Sequence, residues 1–201
     1  MISGPILLPS QPGLKTDKPH MLDWGGALTP SLGGPVQTLM RLGTRHSLDF
    51  TVPTMPTEPL GRIWASRLRL AKLYGALLPF GQDGLAIGAP GLPYVNAAGQ
   101  AGSTLLLAGF TAGYVVREGQ AFNITHGGRY YLHFAAHDTT STDGTLSLDI
   151  YPMLRVIPDL NGSCEFLNPR IQGSLSGNEV AWDRQTAPWS DFGTITITED
   201  E

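Results

Sequence analysis

Apolar and polar residues alternate from Arg45 to Pro53, "RHSLDFTVP": His46, Leu48, Phe50 and Val52 point one way, Ser47, Asp49 and Thr51 the other. A two-residue period predicts a half-buried strand. The period then changes. In "TMPTEPLGRIWASRLRLAKLYGALLPF", Leu60, Ile63, Trp64, Leu68, Ala71, Tyr74 and Leu78 recur at three- and four-residue steps, with Arg62, Ser66, Arg69 and Lys72 mostly on the opposite arc. Thr57 suits an N-cap, Glu58 and Pro59 suit a first turn, and Pro79 closes the end, so the spacing predicts one helix over 58–78. Next comes a long Gly/Pro-rich loop, "FGQDGLAIGAPGLPYVNAAGQAGS", and then a series of short runs: "STLLLAGF", "YVVREG", "QAFNITH", "RYYLHFAA", "TLSLDI" and "MLRVI". His126-Gly127-Gly128-Arg129 and Asp143-Gly144 are hairpin signals between them. Strands this short and this regularly spaced predict a small closed barrel. The tail, with Ile195 and Ile197 flanked by Thr194, Thr196 and Thr198, returns to strand pattern.

The first 35 residues behave differently. Pro5, Pro9, Pro12, Pro19, Pro30 and Pro35 interrupt them, so neither a helix nor an inner strand is sustained. Yet Ile6, Leu7, Leu8, Met21, Leu22 and Trp24 favour burial. Two readings stand: a floppy leader, or an extended arm laid across its own domain or a neighbouring subunit.

Composition sharpens the class. Glycine (25) and proline (16) are abundant and charged residues sparse (15 %), which fits a loop-rich β protein because Gly and Pro punctuate turns and interrupt helices. A net charge of −4 argues against a sequence-general nucleic-acid binder, which needs a basic face for phosphates. Cys164 is the one cysteine, so no intramolecular disulfide can form. The N-terminus lacks the basic n-region of a signal peptide, and no apolar run reaches the ~20 residues of a membrane span. The expectation is a soluble chain folding in a reducing cytoplasm.

Candidate chemistry is thin. In "RYYLHFAAHD", His133 and His137 have the spacing of a helical zinc site, but the segment reads as a strand. Residues four apart in a strand lie ~13 Å apart at ~3.3 Å per residue, whereas zinc holds imidazole nitrogens at ~2.0–2.1 Å. The pair is expected to be polar decoration opposite a buried Tyr130, Leu132 and Phe134. "GSLSG" at 173–177 has leucine where a nucleophile elbow needs serine, and "GQAGST" lacks the lysine of a phosphate-binding loop. Asp138, Asp143 and Asp149 lack calcium-loop spacing. Cys164 has no nearby His or Asn and defaults to a small buried thiol. Trp24, Trp64, Trp182 and Trp189 motivate a carbohydrate-binding alternative.

The segment order resembles a known family. It runs "PVQTLMRLGTRHSLDFTVPTMP", then "EPLGRIWASRLRLAKL", then "NAAGQAGSTLLLAGFTAGYVVREGQAFNITHGGRYYLHFAA", then "DGTLSLDIYPMLR". This is similar to the small tail-tip proteins of long-tailed bacteriophages and prophages, the distal tail protein type. The resemblance implies a mainly β fold, with a β-sandwich belt domain carrying one α-helix plus an inserted small OB-like β-barrel. Residues 1–35 would be a Gly/Pro-rich arm, 36–85 and 164–201 the belt, and 86–163 the barrel. It implies a structural virion protein without enzymatic activity, cofactor or metal, assembled in the bacterial host cytoplasm. The partners would be copies of itself in a hexameric ring, the tail-tube protein and the tail hub protein, with no sequence-specific nucleic acid and no membrane. Leu7, Leu8, Trp24, Arg62 and Arg69 are the candidate assembly contacts. The alternatives are another tail connector, terminator or baseplate adaptor, and a carbohydrate-binding β-sandwich module.

Overall fold

The computed structural model describes residues 4–200. The chain forms two compact units. Among the described residues the first is built from 4–20, His46–Phe80 and Arg170–Asp200, the second from Met21–Arg45 and Gly81–Pro169. Strands dominate both, and among the described residues no helix is long and apolar enough to cross a membrane.

The first unit is organised by a six-stranded sheet in the order Ile6–Leu7, Ala76–Pro79, Arg170–Leu175, Thr194–Glu199, Arg45–Thr51, Thr16–Leu22. Ile6–Leu7 runs parallel to Ala76–Leu77, and the three ladders joining Ala76–Pro79 through to Arg45–Thr51 are antiparallel. Ile197 sits opposite Leu48 and is fully buried. Arg170–Leu175 approaches its neighbour so closely at Gly173 that any Cβ there would overlap the Thr198 carbonyl, so only glycine fits.

The α-helix spans Arg62–Tyr74 and follows a π-helical turn over Thr57–Gly61, so the sequence prediction of 58–78 overruns at its C-terminal end and includes one non-helical residue near its start. At the start, Glu58 is extended (φ −118°, ψ 127°), the conformation that a following proline favours. Thr57 is not a cap; its Oγ1 pairs with Ser190 Oγ at 3.0 Å. At the end, Gly75 turns to φ 85° and the chain enters a strand. "ALLP" is a short apolar run buried over three residues, which periodicity alone cannot tell from a helix segment. The helix buries Trp64, Ala65, Leu68 and Ala71. Trp64 meets Phe50 (6.5 Å between ring centroids) and Phe192 (6.4 Å), and its indole N–H donates to the Gln11 carbonyl at 3.0 Å.

The second unit is a six-stranded sheet in the order Cys164–Glu165, Ala121–His126, Arg129–Ala135, Thr145–Tyr151, Thr104–Phe110, Gly91–Val95. Its two edges meet. Tyr94 bridges Ser163, Val95 N–H donates to Gly162 O (2.9 Å), and Asn161 N–H donates to Val95 O (2.9 Å), leaving a nearly closed barrel. Phe122 and Phe166 stack at 4.6 Å in its core, among Leu105, Leu107 and Leu148. The strand Arg129–Ala135 departs from the sequence expectation in part: Leu132 is fully buried as expected, but Tyr130 and Phe134 are only half-buried, and Tyr131 and His133 are buried instead. His133 stands opposite Phe122 and Tyr131 opposite Ile124, so His133 points inward with the core residues and is fully buried. Its Nδ1 lies 2.9 Å from the Pro152 carbonyl, which satisfies a polar atom there. Both faces of this strand carry bulky residues, so alternation does not fix which face is inside.

Candidate assembly surface

The residues with chemical potential do not converge. His133 is in the barrel core, while His137 follows the strand in solvent, with its Nε2 3.8 Å from Asp149. Among the described residues no three His, Cys, Asp or Glu side chains are arranged to hold a metal ion. "GSLSG" falls largely within the inner strand Arg170–Leu175. Trp64 belongs to the core, and Trp182 lies against Phe192 (6.1 Å) with the Arg69 guanidinium 4.5 Å over its ring.

Cys164 is buried in the barrel, and burial pushes its thiol up to about 12, from an ordinary 9.0, by penalising the thiolate. Ellman's reagent at pH 8 is therefore expected to react with it about a hundredfold or more slower in the native protein than in urea. Equal rates would refute the buried placement. The unfolded thiol ionises first as pH rises, so this group's contribution to stability is intact below about 9 and is lost towards about 12.

What the fold leaves uncovered is a hairpin. Gly26–Leu28 pairs with Gln37–Leu39, and every residue from Gly26 to Leu42 is exposed. The base is pinned: Asp23 Oδ1 accepts the Gly25 N–H (2.8 Å) and the Thr44 hydroxyl (3.0 Å), and the Arg45 guanidinium lies 5.7 Å from the Trp24 ring centroid. Beyond that base the large side chains are mostly apolar and open to water. Leu32 is 98 % exposed, Met40 70 % and Leu28 61 %, with Trp24, Val36, Leu39 and Leu42 also open. Residues 24–40 contain no charge at all. Directly opposed residues share a face of a ladder, so Leu28 and Leu39 project from one side and Ala27 and Thr38 from the other. A lone two-stranded ribbon is marginal in water, and an uncharged apolar one loses further by exposure.

The candidate contacts fall into three groups. Leu8 is spent in the core of the first unit, whereas Leu7 is about half exposed and lines a groove of about 260 Å³ with Ile63, Arg67 and Pro79. Trp24 stands at the base of the hairpin. Arg62 and Arg69 lie on the outer arc of the helix. Glu58 accepts three bonds from Arg62 (Nε at 2.7 and 3.0 Å, Nη2 at 2.7 Å), and this guanidinium holds the Glu58 carboxyl below the usual range. The hairpin as a whole escaped the sequence reading. Its signal was the uncharged run from Trp24 to Met40 around Gly33-Gly34, masked by a Gly/Pro density that also marks loose leaders. No family model matches this chain, and no curated protein matches it.

Proposed function

We propose that this chain is a structural virion subunit that closes into a ring at the distal end of a phage tail, joining the tail tube to the hub. The observation that carries the reading is the hairpin: 17 residues without a charge, pinned at the base, presenting leucine, valine and methionine to water. A chain that orders such a ribbon in solvent exposes the contact surface of an assembly component. The segment order described above supplies the kind of assembly. On this reading the first unit is the β-sandwich belt and the second an OB-like barrel. The ring is hexameric, and the tail-tube and hub proteins are its axial neighbours.

Light scattering and negative-stain imaging of the purified chain at high concentration test this, together with co-purification with tail-tube and hub proteins. Rings of six copies and retention of either protein are expected. A strict monomer that retains neither would overturn the reading.

A further inference from the structure

The outer arc of the helix has a charge opposite to that of the chain. Arg62, Arg67, Arg69 and Lys72 lie within Arg62–Tyr74 and no acid does, in a protein of net charge −4. Three of the four are already engaged. Lys72 Nζ donates to the carbonyls of Leu175 (2.7 Å) and Gly177, Arg67 donates to Leu7 O (3.3 Å), and Arg62 is forked on Glu58. Arg69 lies over Trp182, and neither it nor Arg184 has a carboxylate within ion-pair distance among the described residues.

These groups line one groove of about 290 Å³. Arg62, Arg69 and Arg184 supply three guanidiniums against the single carboxylate of Glu58, and Thr57, Ser66 and Ser190 add hydroxyls. The floor is fitted closely, because a Cβ on Gly61 would lie 2.7 Å from Ser190 Oγ. The Arg69 guanidinium lies 4.5 Å from the Trp182 ring centroid, a cation–π contact that leaves its N–H groups without a carboxylate partner among the described residues.

A matching anion exists on the same chain. Between Gly81 and Pro169 there are seven acidic residues and three arginines. Asp138 accepts Arg117 Nη1 (2.7 Å) and the Glu118 N–H (2.7 Å), which sets the Glu118 backbone beside it; Asp149 accepts the Thr104 hydroxyl (2.7 Å) and lies 3.8 Å from His137. Arg117 offsets one of these three acids. Asp138 and Asp149 are each about half exposed, so neither carboxylate is buried against its own chain.

We propose that the Arg69–Arg184 groove of one subunit receives the Glu118–Asp138–Asp149 cluster of the next, a head-to-tail contact that repeats around the ring. This rests on the reading that copies of the chain assemble. Guanidinium forks pair with carboxylates in two-point geometry, and a contact between unlike surfaces is what a cyclic assembly uses. A phosphate polymer is a poorer occupant, since the cations form one short groove on an otherwise acidic molecule rather than a stripe.

The test is a charge exchange on the full chain. One variant carries Arg69→Glu and Arg184→Glu, the other Glu118→Lys and Asp149→Lys. Asp138 is kept because it holds the Glu118 backbone. Each variant alone is expected to melt like the parent but to assemble at least about tenfold more weakly, since like charges then face each other. An equimolar mixture is expected to regain assembly, because every junction is again complementary. Parental assembly by either variant alone, or a mixture no better than its parts, would overturn the inference while leaving the ring reading intact. A parent that is monomeric at every concentration would remove both. Binding of a random-sequence DNA duplex that is lost in the arginine variant, with assembly unchanged, would assign the groove to phosphate and overturn it as well.

Discussion

Replacing Trp64 with alanine is expected to cost about 3–5 kcal/mol of stability, the range for truncating a fully buried large aromatic. Trp64 has no exposed surface, touches Phe50 and Phe192, and donates its indole N–H to Gln11 O. Alanine would remove the ring contacts and leave the Gln11 carbonyl without that donor. Trp64→Phe separates the two effects: most of the packing survives and the lost bond should cost about 1 kcal/mol. Urea denaturation followed by tryptophan fluorescence is the measurement. Trp64, Trp182 and Trp189 all lie in the first unit, and no tryptophan lies in the barrel segment Gly81–Pro169, so the signal reports mainly the unit affected. A loss below 1 kcal/mol for the alanine variant would mean that Trp64 does not anchor this core.

The second large effect is on association rather than folding. Leu28→Asp with Leu39→Asp places two carboxylates on the apolar face of the hairpin. Both side chains are exposed in the single chain, so the melting temperature should stay where it is. Burying two leucines at an interface contributes about 3–6 kcal/mol, and charged replacements forfeit that and add a desolvation cost. If copies of the chain assemble as proposed, the assembly is therefore expected to vanish from sedimentation profiles in the double variant. Thr38→Asp, on the opposite face, is the control and should have the smaller effect. Assembly unchanged in the double variant would show that the hairpin is not the contact surface proposed.

The sequence was readable where one face of an element is apolar and the other is not. Arg45–Thr51 is such a strand: Leu48 and Phe50 are buried and Asp49 is half-buried. The middle of the helix was equally clear from the spacing of Trp64, Leu68 and Ala71. Its ends were obscured by Pro59, which forces Glu58 out of helical geometry, and by a buried strand directly after Gly75. His133 was assigned to the wrong side because the strand has no purely polar face. Leu7 and Leu8 show the resolution limit of such reasoning: adjacent and chemically identical, one is exposed and the other buried, and only the pairing of Ile6–Leu7 with Ala76–Leu77 decides which. The apolar hairpin was hidden for a different reason. Hydrophobic patterns are read as cores, and no pattern within one chain says that its apolar residues are kept for a surface outside it.

The first unit is assembled from three stretches of chain, and Thr194–Glu199, the last strand among the described residues, lies inside the sheet between Arg170–Leu175 and Arg45–Thr51. During translation the barrel strands from Gly91 to Glu165 are all available while this slot is still empty. The nascent chain therefore carries the exposed ribbon past an unfinished sheet, and that sheet becomes continuous only when residue 199 has left the ribosome.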